Sequence, residues 1–374
     1  VYHKKYLQTK VKGERWYEQA PERRPLLLST GDKKRGPQSE VWHFLLGDPG
    51  MANYNDKVIK ELEPENIKKI KEWRKKFTAP YTEDELATLL RLSAAIDKLW
   101  QRQVKMRQEL EDKTRDQLSI YGHRDSARPS HTTIRQKDEI LAHDYHSEEM
   151  QNAGPYARLK FAMGYWCSLW FWPIQQAELL PTRAEYLLQM SLILIGTMDA
   201  RANAAPMGQQ NLFAADAEEQ DLFAMRYAAE TVVDLPALCK NDPALALSQK
   251  IAQQNHFMHW ELEFADLFAE KGGFDLIIGN PPWIKLIWEE KDVLAEKNPR
   301  FIIKNLSASS IAIQRKTILE TYDIYKIYHN EYASLTGQQN FCNAIGNYNT
   351  LVGQQTNLYK CFFPQAFMFT HARG

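Results

Sequence analysis

Apolar and polar positions alternate with a helical period over much of the chain. From Glu65 to Phe77, the residues Ile67, Ile70, Trp73 and Phe77 recur three or four positions apart among lysines and glutamates. That spacing predicts an amphipathic helix, stopped by Pro80. Thr82 with Glu85 three residues on is a capping box and opens a second helix. Its stripe of Leu86, Leu89, Leu90, Ile96, Leu99, Trp100, Val104 and Leu110 carries the helix to about Leu118. A helix so long and so charged needs a neighbour of similar length. Residues 122–134 read as a polar loop. Tyr156 to Gly196 is the most apolar part of the chain, and Thr182 with Glu185 makes another capping box that opens Tyr186 to Ile195. Within it, Tyr165-Trp-Cys-Ser-Leu-Trp-Phe-Trp172 could be a base-stacking platform, but the run is continuous and helix-like, so packed core is the better reading. Residues 199–220 are rich in Ala and Gln without a period and read as a flexible connection.

Shorter apolar runs near both ends read as strands. Arg24 to Ser29 and Val41 to Leu46 are bounded by Gly31-Asp32, Gly36-Pro37 and Gly47-Asp-Pro-Gly50, a strand–turn–strand pattern, although runs this short also occur as buried helix. Trp260 to Asp266 is compatible with a strand ending in a carboxylate, and Lys271-Gly-Gly273 with a turn. Phe274-Asp-Leu-Ile-Ile-Gly279 reads as a buried strand, with Asn280-Pro281-Pro282-Trp283 directly after it. Gly353 to Phe367 reads as helical around Leu358, Tyr359, Phe362 and Phe363, despite Pro364.

Composition narrows the class. The 374 residues hold 47 Lys+Arg and 47 Asp+Glu, with 44% hydrophobic and 25% charged residues, so the chain is globular and long enough for two or three domains. The zero balance removes a basic excess as an argument for nucleic-acid binding but leaves room for a local patch. The cysteines Cys167, Cys239, Cys342 and Cys361 lie far apart, which points away from disulfides or structural zinc and towards a reducing, cytoplasmic setting. The longest apolar stretch, Met163 to Ile174, is shorter than the ~20 residues that span a bilayer, so no membrane partner is expected.

The chemistry concentrates at Asn280-Pro281-Pro282-Trp283. Ligands of open α/β sheets bind beyond the carboxyl ends of strands, and two prolines fix the backbone there. The Asn280 side-chain oxygen and the Pro281 carbonyl can take the two N–H bonds of one planar amine, with Trp283 as a stacking face. Accepting both bonds favours a pyramidal, more nucleophilic nitrogen, so methyl transfer to it needs positioning more than a general base. A base inside a duplex must first be flipped out.

With these residues in place, Phe274 to Trp283 resembles the catalytic motif of adenine-specific amino-methyltransferases that use S-adenosylmethionine. His259-Trp-Glu-Leu-Glu-Phe-Ala-Asp-Leu-Phe268 and Asn357-Leu-Tyr-Lys-Cys-Phe-Phe-Pro-Gln-Ala-Phe367 resemble the large DNA methylases of type IIG restriction–modification and related phage-defence systems. The resemblance covers roughly the last third of the chain. It implies that Asn280, Pro281, Pro282 and Trp283 hold a flipped adenine of double-stranded DNA, and that Asp266, Asn357 and Tyr359 border the S-adenosylmethionine pocket, with no metal. Other subunits of a defence system are further partners it implies. The implied fold is α/β and helix-rich: a partial Rossmann-like methyltransferase sheet with a large helical insertion. Residues 1–60 and 256–374 would belong to the methyltransferase core, and 61–255 to the insertion. The same four-residue motif also occurs in protein-glutamine and RNA adenine methyltransferases, and a helical interaction module is a rival of a different class.

One part of the family pattern is missing, the Gly-x-Gly donor loop. Gly47-Asp-Pro-Gly50 lacks that spacing and reads as a turn. The chain is therefore expected to be an internal piece, inactive alone, with the donor loop before Val1 and a target-recognition domain after Gly374. Lys68, Lys69, Lys71, Arg74, Lys75 and Lys76 could grip phosphate. Glu61, Glu63, Glu65 and Glu72 dilute that cluster, so a solvated helix face is an equal reading. His123, His131, His143 and His146 lie in polar sequence without a carboxylate pattern that would suit a metal.

Overall fold

The computed structural model describes residues 1–24, 35–115, 133–142, 147–196, 233–296, 298–304, 306–321 and 324–370. Both predicted capping boxes form. Thr82 accepts from the Glu85 N–H at the start of the helix Glu83–Thr114, and Thr182 from the Glu185 N–H at the start of Arg183–Leu194. The predicted amphipathic helix is Pro64–Phe77, begun by its proline. Arg183 ties the two capping boxes together: its guanidinium makes paired bonds to Glu85 at 2.7 and 3.0 Å and lies over the Tyr81 ring.

The helix Pro155–Ser168 is the centre of the molecule. Phe161 to Ser168 are buried without interruption, as befits a helix that is apolar all round. It packs against Glu83–Thr114, Arg183–Leu194 and Pro243–Asn255. Trp166, Trp170 and Trp172 are buried, which makes the aromatic run packed core. One hydrophobic cluster runs from Tyr2 through the helices to Ala333.

The strand expectations fare differently. Among the described residues the only sheet is the two-residue antiparallel pair Tyr2–His3 with Glu40–Val41, so the helix-rich character holds and these residues show no Rossmann-like sheet. Only Glu40–Val41 of the run to Leu46 is strand, and His43–Leu45 is a single 3-10 turn. Arg24–Ser29 lies almost wholly outside the described residues, as do residues 199–220, the loop after Arg115 and His123, His131, His143 and His146. Trp260 to Asp266 is helical, in Trp260–Glu263 and Ala265–Lys271. Leu262, Ala265 and Phe268 are buried at a spacing of three, and Trp260 stacks on Phe264 four residues on, which is helical geometry. The helices Ala308–Thr321 and Tyr325–Asn343 fill a stretch in which the apolar pattern predicts nothing.

Gly47 and Gly50 serve packing. A Cβ at Gly47 would stand 2.5 Å from the Phe77 ring, and one at Gly50 2.7 Å from the Trp170 ring. Between them Asp48 accepts from the Gly50 N–H at 2.7 Å, and burial raises its carboxyl to about 6. From the ordinary carboxylate range up to about pH 6, the folded chain keeps a proton that the unfolded chain releases. This group therefore lowers stability as pH rises through that window, by up to about 2–3 kcal/mol at pH 7. Asp48→Asn keeps the carbonyl acceptor and removes the charge. It is expected to raise stability at pH 7 by ~1–3 kcal/mol, a gain that vanishes below about pH 4, read from urea midpoints at both pH values. A gain equal at the two pH values would disprove the cause.

Candidate functional site

The segment that carries the motif is pinned at two places and free between them. At its start the Phe274 N–H donates to the Phe369 carbonyl at 2.7 Å, and Phe274 forms an isolated parallel bridge with Thr370. The Phe274 ring sits edge-on to Phe264 and Phe268 at 5.1 and 5.5 Å between centroids. At its end Lys285 bridges Asn357 antiparallel: the Leu358 N–H donates to the Ile284 carbonyl at 3.0 Å, and the Leu286 N–H to the Thr356 carbonyl at 3.2 Å. The two anchors are thus the two ends of the helix Leu358–Phe369. From Asn357 to Thr370 that helix spans ~20 Å, whereas Phe274 to Lys285 could reach ~36 Å if extended. The slack bows the segment into solvent. Leu276 is 73% exposed and Ile278 85%, so the predicted buried strand Phe274–Gly279 is neither strand nor buried. Among the described residues its backbone finds partners only at its ends.

Asn280, Pro282 and Trp283 are exposed and Pro281 is half-buried. The Trp283 ring stacks on Tyr359, with centroids 4.7 Å apart and planes 24° from parallel. The backbone pairing at Lys285 and Asn357 thus places the motif against the first turn of the predicted helix, which forms across Pro364. Asn357 precedes that helix without capping it, and its Oδ1 is buried with no hydrogen-bond partner among the described residues. It borders a small pocket with Cys342, Asn343, Thr356 and Cys361.

Asp266 is not brought to this group. It lies in the first turn of Ala265–Lys271, not at a strand end, and its carboxylate is 3.3 Å from the Arg107 guanidinium. Of a donor pocket, the described residues therefore offer the Asn357 acceptor, while the Asp266 carboxylate is already engaged. The structure adds two positioning residues that the pattern did not mark. Gln339 donates to the Leu286 carbonyl, and Asn343 donates to the Thr356 hydroxyl, so the helix Tyr325–Asn343 holds both sides of the bridge. A polar-in-register face on a helix that carries few aliphatics is the only sequence signal for them.

Comparison with known families gives one match. Residues 190–308 match the family model described as Eco57I restriction-modification methylase. The match covers about a third of the chain and supports a restriction–modification methylase family for that segment. It contains Asp266 and Asn280 to Trp283, while Asn357 and Tyr359 lie beyond it. No curated protein and no solved structure matches the chain. Among the described residues no helix is long and apolar enough to cross a membrane.

Trp283 is 74% exposed, whereas Trp170 is fully buried. Trp283→Ala is expected to cost under about 1 kcal/mol of unfolding free energy, since it loses only the stack on Tyr359. Trp170→Ala is expected to cost ~3–5 kcal/mol. Equal losses in denaturant unfolding would show Trp283 to be a structural residue.

Proposed function

We propose that this chain carries the target-base side of a DNA adenine methyltransferase in a restriction–modification or phage-defence system. The observation that carries the reading is the placement of Asn280-Pro281-Pro282-Trp283. It is presented to solvent on a pinned segment, beside Tyr359 and inside the stretch that matches the methylase family. A flipped adenine would stack on Trp283, and its exocyclic amine would donate to the Asn280 side-chain oxygen and the Pro281 carbonyl. Those two bonds localise the nitrogen lone pair and aim it. S-adenosylmethionine would supply the electrophilic methyl group, and the Asn357 Oδ1 is the described acceptor suited to bordering it. The exposed apolar run at Leu276 to Ile278, next to the motif, marks this face as one that takes a ligand or partner.

The test is methylation of duplex DNA by the full-length protein, read as N6-methyladenine by mass spectrometry. Asn280→Ala is expected to lower the rate by at least ~100-fold, the typical loss on removing one such polar contact from a transition state. Undiminished methylation would sink the catalytic assignment. Competition by an RNA or a glutamine peptide, without competition by duplex DNA, would move the substrate to those classes.

A further inference from the structure

The basic residues of the helix Pro64–Phe77 separate into two sets. Lys68, Lys69, Lys75 and Lys76 are exposed on the outside. Lys71 and Arg74, one turn apart, line a cleft with Lys60 of the preceding helix Lys57–Leu62. The buried Ile70 and Tyr54 form part of its floor, and Asn55 stands on its rim.

Three cations share this cleft and no carboxylate lines it. Glu72, next to Lys71, is exposed and does not line the cleft, and three acids of the preceding turn and helix have partners of their own. Asp56 caps its own helix through the Ile59 N–H at 3.1 Å, and Glu61 lies 3.9 Å from Lys57. Glu63 accepts from the Tyr325 hydroxyl at 3.0 Å and from the Asn66 side chain at 2.8 Å. Arg74 is half-buried, and its one described bond is from Nη1 to the Ala52 carbonyl at 3.0 Å. Burial presses its guanidinium below the usual range, with no carboxylate to offset the loss of water. A half-buried guanidinium that shares its cleft with two lysines and no carboxylate is suited to an anion.

We propose that Lys60, Lys71 and Arg74 form a binding site for a phosphate group, supplied by the backbone of duplex DNA. Only the source of the phosphate rests on the DNA reading above. The cleft and the motif share one support. The loop at the cleft is tied to the helix Tyr325–Asn343 by the Asn340 amide to the Asn53 carbonyl at 3.1 Å and by the Asp56 N–H to the Tyr332 hydroxyl at 3.1 Å. The same helix holds Leu286, three residues past Trp283, through Gln339. The cleft and the segment that carries the motif are thus braced by one helix.

The test compares two charge reversals on exposed lysines, Lys60→Glu/Lys71→Glu in the cleft and Lys68→Glu/Lys75→Glu on the outer face. Binding of a labelled 20-base-pair duplex is measured by anisotropy from 0.05 to 0.2 M salt, and binding of inorganic phosphate and ATP by calorimetry. The cleft pair is expected to weaken duplex binding at least ~10-fold and to flatten the slope of log K against log salt by about 2. The outer pair is expected to change affinity less than ~3-fold. Equal losses from both pairs, or duplex binding untouched by the cleft pair, overturn the site while leaving the DNA reading intact. Phosphate or ATP binding that the cleft pair abolishes, with no duplex binding by the unaltered protein, keeps the site, makes the source a free phosphate and overturns the DNA reading.

Discussion

Backbone carbonyls that are buried outside any sheet must still be bonded, and this requirement organises the centre of the molecule. The turn from Phe44 to Gly47 has no strand beside it. Three of its four carbonyls are taken by aromatic side chains from distant parts of the chain: Phe44 by the Tyr186 hydroxyl at 3.0 Å, Leu46 by the Trp166 indole at 2.7 Å and Gly47 by the Trp16 indole at 2.8 Å. The Gly47 N–H donates in turn to the Tyr81 hydroxyl at 3.2 Å. Each donor also brings a large apolar ring, so one contact both satisfies a polar group and fills the core. Losing any of them leaves a buried carbonyl unpaired, at a cost of ~1–3 kcal/mol.

The motif segment is the converse case. Leu276 to Ile278 is apolar, yet among the described residues no aromatic donor and no neighbouring strand reaches it, and its side chains stay in solvent. A segment bonded only at its ends opens at lower free energy than the core. On the proposed reading that property has a use, because a flipped nucleotide would need room to enter. The rigid parts are the anchors: the aromatic cluster around Phe274 at one end and the Lys285–Asn357 bridge at the other.

What the sequence made legible follows from how local each signal is. Thr82 with Glu85 and Thr182 with Glu185 were readable because a capping box is complete within four residues. The apolar stripes of Pro64–Phe77 and Glu83–Thr114 were readable because the aliphatics lie on one face. Val41 to Leu46 and Trp260 to Asp266 misled, since in short apolar runs tertiary partners choose between strand and helix, and those partners lie more than a hundred residues away or in the following turn. The helix Tyr325–Asn343 was invisible for another reason. Its buried face is Tyr328, His329, Tyr332, Ala333 and Thr336, largely polar-tipped residues that count as surface in a hydrophobic pattern. The motif itself was readable from four residues, but its neighbour Tyr359 was placed by the bridge at Lys285, which no local pattern encodes.

That bridge is what turns two separate sequence features into one site. Trp283 and Tyr359 are 76 positions apart, and neither is buried enough for packing to hold it in place. Their stack depends on the hydrogen bonds between Ile284 and Leu358 and between Leu286 and Thr356. These depend in turn on Gln339 and Asn343, which hold the two strands of the bridge from the same helix. The neutral charge of the whole chain has the same structure. An even balance of acids and bases hides Lys60, Lys71 and Arg74 converging where no carboxylate follows, and the helix that supports that cleft is the one that supports the bridge. A polar-faced helix at Tyr325–Asn343 is therefore the element through which a contact at the cleft and a base at Trp283 would be held in fixed relation.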